Sequence, residues 1–162
     1  MEKLRVSRPD IKQFVFRIGT VLGIEVNNLI TDLFKKPFIL GIKGSKTPFV
    51  FIWDEDLVEI LMQSIWSEKP GVYNIAGDGS VDLPVIAKYL NKKFIPVPSK
   101  IIETALFTLK KLSLSQYGPE QVKFLKYRPV LDNAKLKAEF NYLPKKSSQE
   151  TFEYYLENRK FN

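Results

Sequence analysis

The sequence contains no cysteine and no histidine. The first absence excludes disulfides, thiolate nucleophiles and Cys-ligated metals. The second removes the commonest general base and the commonest transition-metal ligand, so no metal site is expected. No apolar run is long enough to span a bilayer, and no charged n-region leads into an apolar h-region at the start. Glycine is sparse, at 8 residues in 162. None of it forms a phosphate-cradling turn between a strand and a helix. Gly41-Ile42-Lys43-Gly44 is a turn between two strands, and Gly77-Asp78-Gly79 precedes a helix but lacks the following glycine.

What is present describes a folded domain. Hydrophobic residues make up 44% and aromatics 13%, enough for a core in a chain of this length. The net charge is +7. Its lysines fall in ones and twos (35–36, 92–93, 110–111, 145–146) with no sustained stripe or Arg-rich block. That spacing reads as a solvated surface and not as a nucleic-acid footprint. The expected setting is cytoplasmic, with neither a nucleic acid nor a membrane as partner.

Residues 49–80 organise the chain. PFVFIW is an aromatic and β-branched run suited to a buried strand. Asp54, Glu55 and Asp56 follow, and acidic side chains there favour the positive end of a helix. Asp56 is read as the capping residue. Leu57, Val58, Ile60, Leu61, Ile65 and Trp66 recur at helical spacing. Lys69-Pro70-Gly71 breaks the helix, and VYNIAG is the next strand. Strand, helix and strand in succession imply parallel pairing.

Elsewhere, QFVFRIG (13–19) reads as a strand and TVLG (20–23) as a loop. Asn27 or Asn28 caps a helix that Pro37 ends. FILGI and PFVFIW read as an inserted strand pair around the turn at 43–46. Ser80 or Asp82 caps a helix over 81–91, KFIPVP is a short strand, and Ser99 caps a helix over 100–113. Gly118-Pro119 opens a short helix, EQVKFLKY. Asp132 caps a helix over 133–140, and Ser147 with Glu150 forms a capping box for the last helix.

The segments FIWDEDLV (51–58) and GVYNIAGDGS (71–80) resemble the later half of the extended short-chain dehydrogenases, the NAD-dependent epimerase/dehydratase family. The segment Phe16-Arg17-Ile18-Gly19-Thr20-Val21-Leu22-Gly23 is similar to that family's loop against the nicotinamide, with Ile18 where the family commonly has Pro. The resemblance implies that Ile18, Gly19 and Thr20 lie at a cofactor, mostly through backbone groups. An ordinary buried strand and turn is the other reading. It implies substrate contacts at Asn28, Trp53 and Arg128. Asn28 corresponds to an asparagine that meets the diphosphate, or is a plain helix cap. Trp53 stands where the family often has His. Arg128, in a segment like the family's "yrPvlD", is an anion ligand or a surface ion pair. Thr47-Pro48-Phe49-Val50 lacks the Arg that UDP-sugar epimerases often carry. Lys43 and Lys46 are nearby but lack its planar fork.

The implied fold is α/β: a C-terminal remnant of a Rossmann-like doubly wound parallel sheet plus a small, mostly helical substrate domain. One truncated domain is expected, with the sheet remnant at about 13–80 and the substrate-binding part at about 81–162. The implied function is the substrate-binding portion of an NAD-dependent epimerase/dehydratase-like protein, without turnover by itself. NAD or NADP is the cofactor of the full-length family, with none expected on this chain alone. No catalytic residue is assigned. Tyr89 and Lys93 have the spacing of the family's catalytic pair, but their helix ends near Asn91. The expected ligand is a nucleotide sugar or a related small molecule. The other function considered is a non-enzymatic interaction module that docks through an exposed sheet face. Either way, the expected partner is a second copy or a missing N-terminal half.

Overall fold

A computed structural model describes residues 7, 8, 10–113, 122 and 126–159. The expected lead-in at 1–12 lies mostly outside these residues, as does most of the helix expected at EQVKFLKY. In chain order the elements are β1 (Phe14–Ile18), β2 (Thr20–Leu22), α1 (Leu29–Lys35), β3 (Phe38–Ile42), β4 (Pro48–Phe49), β5 (Phe51–Trp53) and α2 (Asp54–Trp66). There follow β6 (Gly71–Ile75), β7 (Val81–Asp82), α3 (Leu83–Tyr89), β8 (Lys93–Val97), α4 (Ser99–Lys111), a π-helical turn at Leu136–Phe140, and α5 (Ser148–Asn158). Among the described residues, no helix is long and apolar enough to cross a membrane.

The chain forms two compact units that interleave. One comprises Met1–Val26, Val50–Gly79 and Leu131–Arg159, and the other Asn27–Phe49, Ser80–Val130 and Lys160–Asn162. Contiguous blocks at 13–80 and 81–162 therefore do not describe how contacts group, because 131–159 returns to the first unit.

In the first unit, β1 and β2 form one extended run that changes neighbour at Gly19. β1 pairs in parallel with β6, from Phe14↔Gly71 to Ile18↔Ile75. β2 pairs in parallel with β5, from Thr20↔Phe51 to Leu22↔Trp53. At the switch, Gly19 N–H donates to Ile75 O at 2.8 Å and Thr20 N–H to Val50 O at 2.9 Å. A Cβ at Gly19 would sit 3.1 Å from Val50 O and 3.4 Å from Ile75 O, so close backbone approach favours glycine. The expected loop at 20–23 is thus mostly strand, because the neighbouring β5 supplies partners for its backbone groups.

Helix α2 begins where the acidic triplet predicts, and it turns Asp56, Leu57 and Ile60 inward. Its N-cap residue is Trp53, with no side-chain cap bond. Asp56 therefore does not cap the helix. The core gathers Ile52, Ile60, Tyr73, Ile75, Leu136, Phe140 and Tyr142, with Phe14, Phe16, Val21 and Leu57 packed against it. Phe140 meets Tyr73 edge-on at 5.3 Å, a favourable aromatic geometry. The segment expected as an ordinary helix over 133–140 is instead the π-helical turn. It ends at Asn141, whose φ of 63° is left-handed, a conformation asparagine tolerates.

Helix α5 opens with the predicted capping box. Ser147 Oγ accepts from Glu150 N–H at 3.2 Å, and the Glu150 carboxylate accepts from Ser147 N–H at 2.8 Å. Phe152 stacks on Phe51 at 5.5 Å. Ser148 is fully buried, and its hydroxyl lies within 3.1 Å of Phe51 N, Gly77 O and Gly79 O. Its own N–H donates to Asp78 O at 2.8 Å. Phe51, Ile52, Tyr73 and Ile75 are buried within this unit. The expectation of an open sheet face is corrected for β5 and β6. The reason is that the π-helical turn and α5 return to cover them.

In the second unit, Asn28 caps α1, and Asn28 with Thr31 completes a reciprocal box. β3 pairs in parallel with β8, from Phe38↔Lys93 to Ile42↔Val97. β4 pairs antiparallel with β7, Pro48↔Asp82 and Phe49↔Val81. FILGI and PFVFIW are therefore not a strand pair. PFVFIW divides at Val50, with its first part in this unit and its last part in the other. Neither Asp82 nor Ser99 makes the expected cap bond. Asp82 is an N-cap without one, and the N-cap of α4 is Pro98. Tyr89 ends α3 while Lys93 lies on β8, so the two do not share a helix.

Two predictions follow from the first unit. A Cβ at Gly77 would lie 2.6 Å from Lys146 O and 2.8 Å from Ser148 N, both backbone atoms. Gly77→Ala is expected to cost about 1–3 kcal/mol, the usual penalty of overpacking, read from the urea midpoint. An unchanged midpoint refutes the close approach. Asp78 is held by Lys137 Nζ at 2.5 Å and Asn133 Nδ2 at 2.8 Å, which keeps its carboxyl below the ordinary range. A depressed carboxyl stabilises the fold above the unfolded value, and that stability is lost as pH falls through the folded value. Asp78→Asn should therefore lower the melting temperature at neutral pH and match the parent in strong acid. A deficit that persists in acid shows that the charge is not the cause.

Candidate functional site

The residues proposed from sequence divide between the two units. Ile18, Gly19, Thr20 and Trp53 belong to the first, and Asn28 and Arg128 to the second.

Ile18 is exposed at the end of β1, and Gly19 and Thr20 are half-buried. The N–H groups of Gly19 and Thr20 donate to Ile75 and Val50 carbonyls. Those two donors serve the sheet, which the strand-and-turn reading accounts for.

Trp53 lies on a wall. A cavity of about 250 Å³ is lined by Ile24, Glu25, Trp53, Asp54, Glu55 and Tyr154. The Lys146 ammonium sits 3.2 Å above the Trp53 ring, and Tyr154 meets that ring edge-on at 5.6 Å. The indole face is therefore covered by a cation of the same unit, a favourable cation–π contact. Three carboxylates rim the cavity, so its own wall repels a diphosphate.

Beneath this wall, Asp56 is fully buried. Its carboxylate accepts from Lys145 N–H at 3.1 Å. The Tyr142 hydroxyl lies 2.7 Å from Asp56 Oδ1 and 3.0 Å from Glu59 Oε2. Burial, followed by those two carboxylates, pushes the Tyr142 hydroxyl far above its ordinary value, so it stays protonated and donates. The Lys145 ammonium pairs with Glu59, which holds the Glu59 carboxyl below its usual range. Asp56 thus tethers 142–145 to α2. Its partners lie far away in sequence, and no local signal marks them.

In the second unit, Asn28 Oδ1 accepts from Ile30 N–H at 2.9 Å and Thr31 N–H at 3.0 Å, the plain-cap reading. The Arg128 guanidinium carbon lies over the Phe49 ring, 3.8 Å from its centre. Partial burial lowers its pKa from the ordinary value, yet a guanidinium stays charged. Ser45 Oγ donates to Lys126 O at 3.0 Å, tying the 43–47 turn to the segment that carries Arg128. Lys43, Lys46 and Lys126 are exposed on the same two segments. Phe49, Ser45 and Lys126 were not foreseen, because the aromatic platform and the tether depend on the pairing of β4 with β7. Among the described residues, no cluster of acidic side chains could hold a metal ion.

No protein-family model matches the chain. Uncharacterized proteins of Mycobacterium tuberculosis and Mycobacterium bovis are 25% identical over 153 residues, which is 94% of this chain and 40% of theirs. Among solved structures, UDP-glucose 4-epimerase of Thermotoga maritima with UDP-glucose matches at a TM-score of 0.66 and 14% identity, over 97% of this chain and 49% of that one. ADP-L-glycero-D-manno-heptose-6-epimerase of Helicobacter pylori matches at 0.63 and 13%, over 97% and 47%. UDP-glucuronic acid 4-epimerase of Bacillus cereus, in complex with UDP-glucuronic acid and NAD, matches at 0.63 and 16%, over 97% and 49%. The chain has the Rossmann-type α/β fold of sugar-nucleotide epimerases, as the resemblance implied. It spans 40% of the length of the curated relatives and about half that of the solved epimerases, consistent with a C-terminal half.

The Asp56 tether is testable. Asp56→Ala removes the acceptor of Lys145 N–H and leaves the Tyr142 hydroxyl with Glu59 alone, at an expected cost of about 1–3 kcal/mol. Asp56→Asn keeps an acceptor and should cost less. Equal losses in thermal unfolding refute the tether.

Proposed function

We propose that the chain is the substrate-binding part of an NAD-dependent epimerase/dehydratase-like protein, that its ligand is a nucleotide sugar, and that these 162 residues alone do not turn it over. The observation that carries this reading is the Arg128 guanidinium laid on Phe49 in a chain with the fold of half an epimerase. Stacking fixes the plane of the guanidinium, which prearranges a two-pronged contact to a diphosphate. The exposed lysines at 43, 46 and 126 add positive potential around it. This arrangement takes the place of the Arg missing from Thr47-Pro48-Phe49-Val50.

Within this reading the second unit holds the diphosphate, and Asn28 shapes it as a cap. The exposed Ile18 side chain with the Gly19–Thr20 backbone forms the surface toward a nicotinamide in the longer relatives. Trp53 belongs to the first unit, where Lys146 covers its ring. Hydride transfer at an alcohol carbon needs a bound NAD or NADP and a positioned acid–base group. No such group is assigned among these residues. The reading carries a cytoplasmic location with it.

Calorimetric titration with UDP and UDP-glucose tests the proposal. Binding is expected, and Arg128→Ala should weaken it roughly tenfold or more, the worth of a charge-assisted hydrogen bond, with a circular dichroism spectrum that shows the variant folded. Absence of binding, or an unchanged affinity in the variant, overturns the assignment. The companion assay supplies NAD(H) or NADP(H) with several nucleotide sugars. Turnover that survives repurification refutes the inactivity of the chain alone.

A further inference from the structure

The turn from Lys43 to Thr47 is held under strain. Among the described residues, four non-glycine positions have a positive φ: Thr47, Asn91, Ser113 and Asn141. Thr47 alone of these is β-branched; its φ is 47°, and it is buried. A β-branched residue in the left-handed region is strained, and such strain persists only where surrounding contacts over-determine the conformation. Those contacts are present. Lys43 N–H donates to Val97 O at 2.9 Å and Leu83 N–H to Lys46 O at 3.0 Å, which pins the turn on both sides. Between them, Ser45 N–H donates to Ile42 O at 3.0 Å.

The Ser45 hydroxyl is the hub. It accepts from Thr47 N–H at 3.3 Å and from the Thr47 hydroxyl at 3.3 Å, and it donates to Lys126 O at 3.0 Å. One donation and two acceptances use the whole capacity of a hydroxyl. Ser45 and Lys126 are 81 positions apart, so the bond is a tertiary one. Two residues beyond Thr47, Phe49 carries the ring that the Arg128 guanidinium lies over. The stretch 43–49 therefore holds the Arg128 segment at two points, its backbone at Lys126 and its side chain at Phe49.

We infer that Ser45 and Thr47 are positioning residues for Arg128. The left-handed backbone at Thr47 brings its N–H back onto Ser45, and the Ser45 hydroxyl then sets where the guanidinium sits. Neither residue needs to meet the ligand. The inference rests on Arg128 as the group that binds the diphosphate, but what places Arg128 can be read with no ligand present.

Proton NMR and calorimetry with UDP test it together. A proton held above an aromatic ring resonates upfield. The Arg128 Nε–H, assigned by its loss in Arg128→Lys, should carry such a shift in the parent. Ser45→Ala should return it to the ordinary arginine position, with the parent's circular dichroism spectrum. Ser45→Thr keeps the hydroxyl and should retain the shift. Ser45→Cys, similar in shape and a weak donor, should fall between them, and it decides the matter where Ser45→Ala does not fold. UDP affinity should drop roughly two- to tenfold in Ser45→Ala, the worth of one hydrogen bond, and recover in Ser45→Thr. Added to Arg128→Ala, Ser45→Ala should cost no further affinity, because its effect passes through Arg128. An Arg128 signal that Ser45→Ala and Ser45→Cys leave unmoved, or affinity losses that add in the double variant, overturns the inference. A parent that does not bind UDP overturns the ligand reading of Arg128 instead, and the NMR shift still decides the positioning.

Discussion

The Ser148 hydroxyl sits where three chain segments meet. It accepts from Phe51 N–H at the start of β5, and its one proton is shared between the carbonyls of Gly77 and Gly79 just after β6. These groups come from strand ends, where ladder bonding stops and backbone polar groups need other partners. A buried site left without them would cost about 1–3 kcal/mol for each stranded group. The hydroxyl accepts from one donor and gives its proton to the carbonyls, so one side chain serves both kinds of group. Its place at the first position of α5 makes the helix and the sheet a single construction. Gly77 completes it by allowing the two backbones to touch.

Local chemistry was readable in the sequence, and distant chemistry was not. The Ser147–Glu150 box, the Asn28 cap, the acidic start of α2 and the strands flanking it all stand as their neighbouring residues imply. Each depends on atoms within a few positions. The errors share the opposite cause. Asp56 reads as a cap because aspartate is common there, but its hydrogen-bond partners are Tyr142 and Lys145. FILGI and PFVFIW are adjacent in sequence, yet FILGI pairs with the strand at Lys93–Val97. The π-helical turn leaves no mark in periodicity, since Leu136 and Phe140 fit an α-helix equally well. Arg128 was singled out through its resemblance to a family segment, while the Phe49 ring beside it was not.

Both units pair opposite charges and set cations on aromatic rings. In the first, charges lie close to opposite partners: Asp78 with Lys137, and Glu59 with Lys145. The tyrosine between Asp56 and Glu59 is held neutral. In the second, Arg128 rests on an aromatic ring, with exposed lysines on the neighbouring segments.

The run from Phe14 to Leu22 serves two neighbours in turn, β6 and then β5. It therefore acts as a ruler for both. Side chains on a strand alternate between faces, so adding or deleting one residue inside this run would invert every side chain beyond the change. An inversion at β1 would carry Phe14 and Phe16 out of the core, and one at β2 would do the same to Val21. Insertions and deletions have almost nowhere to accumulate along it.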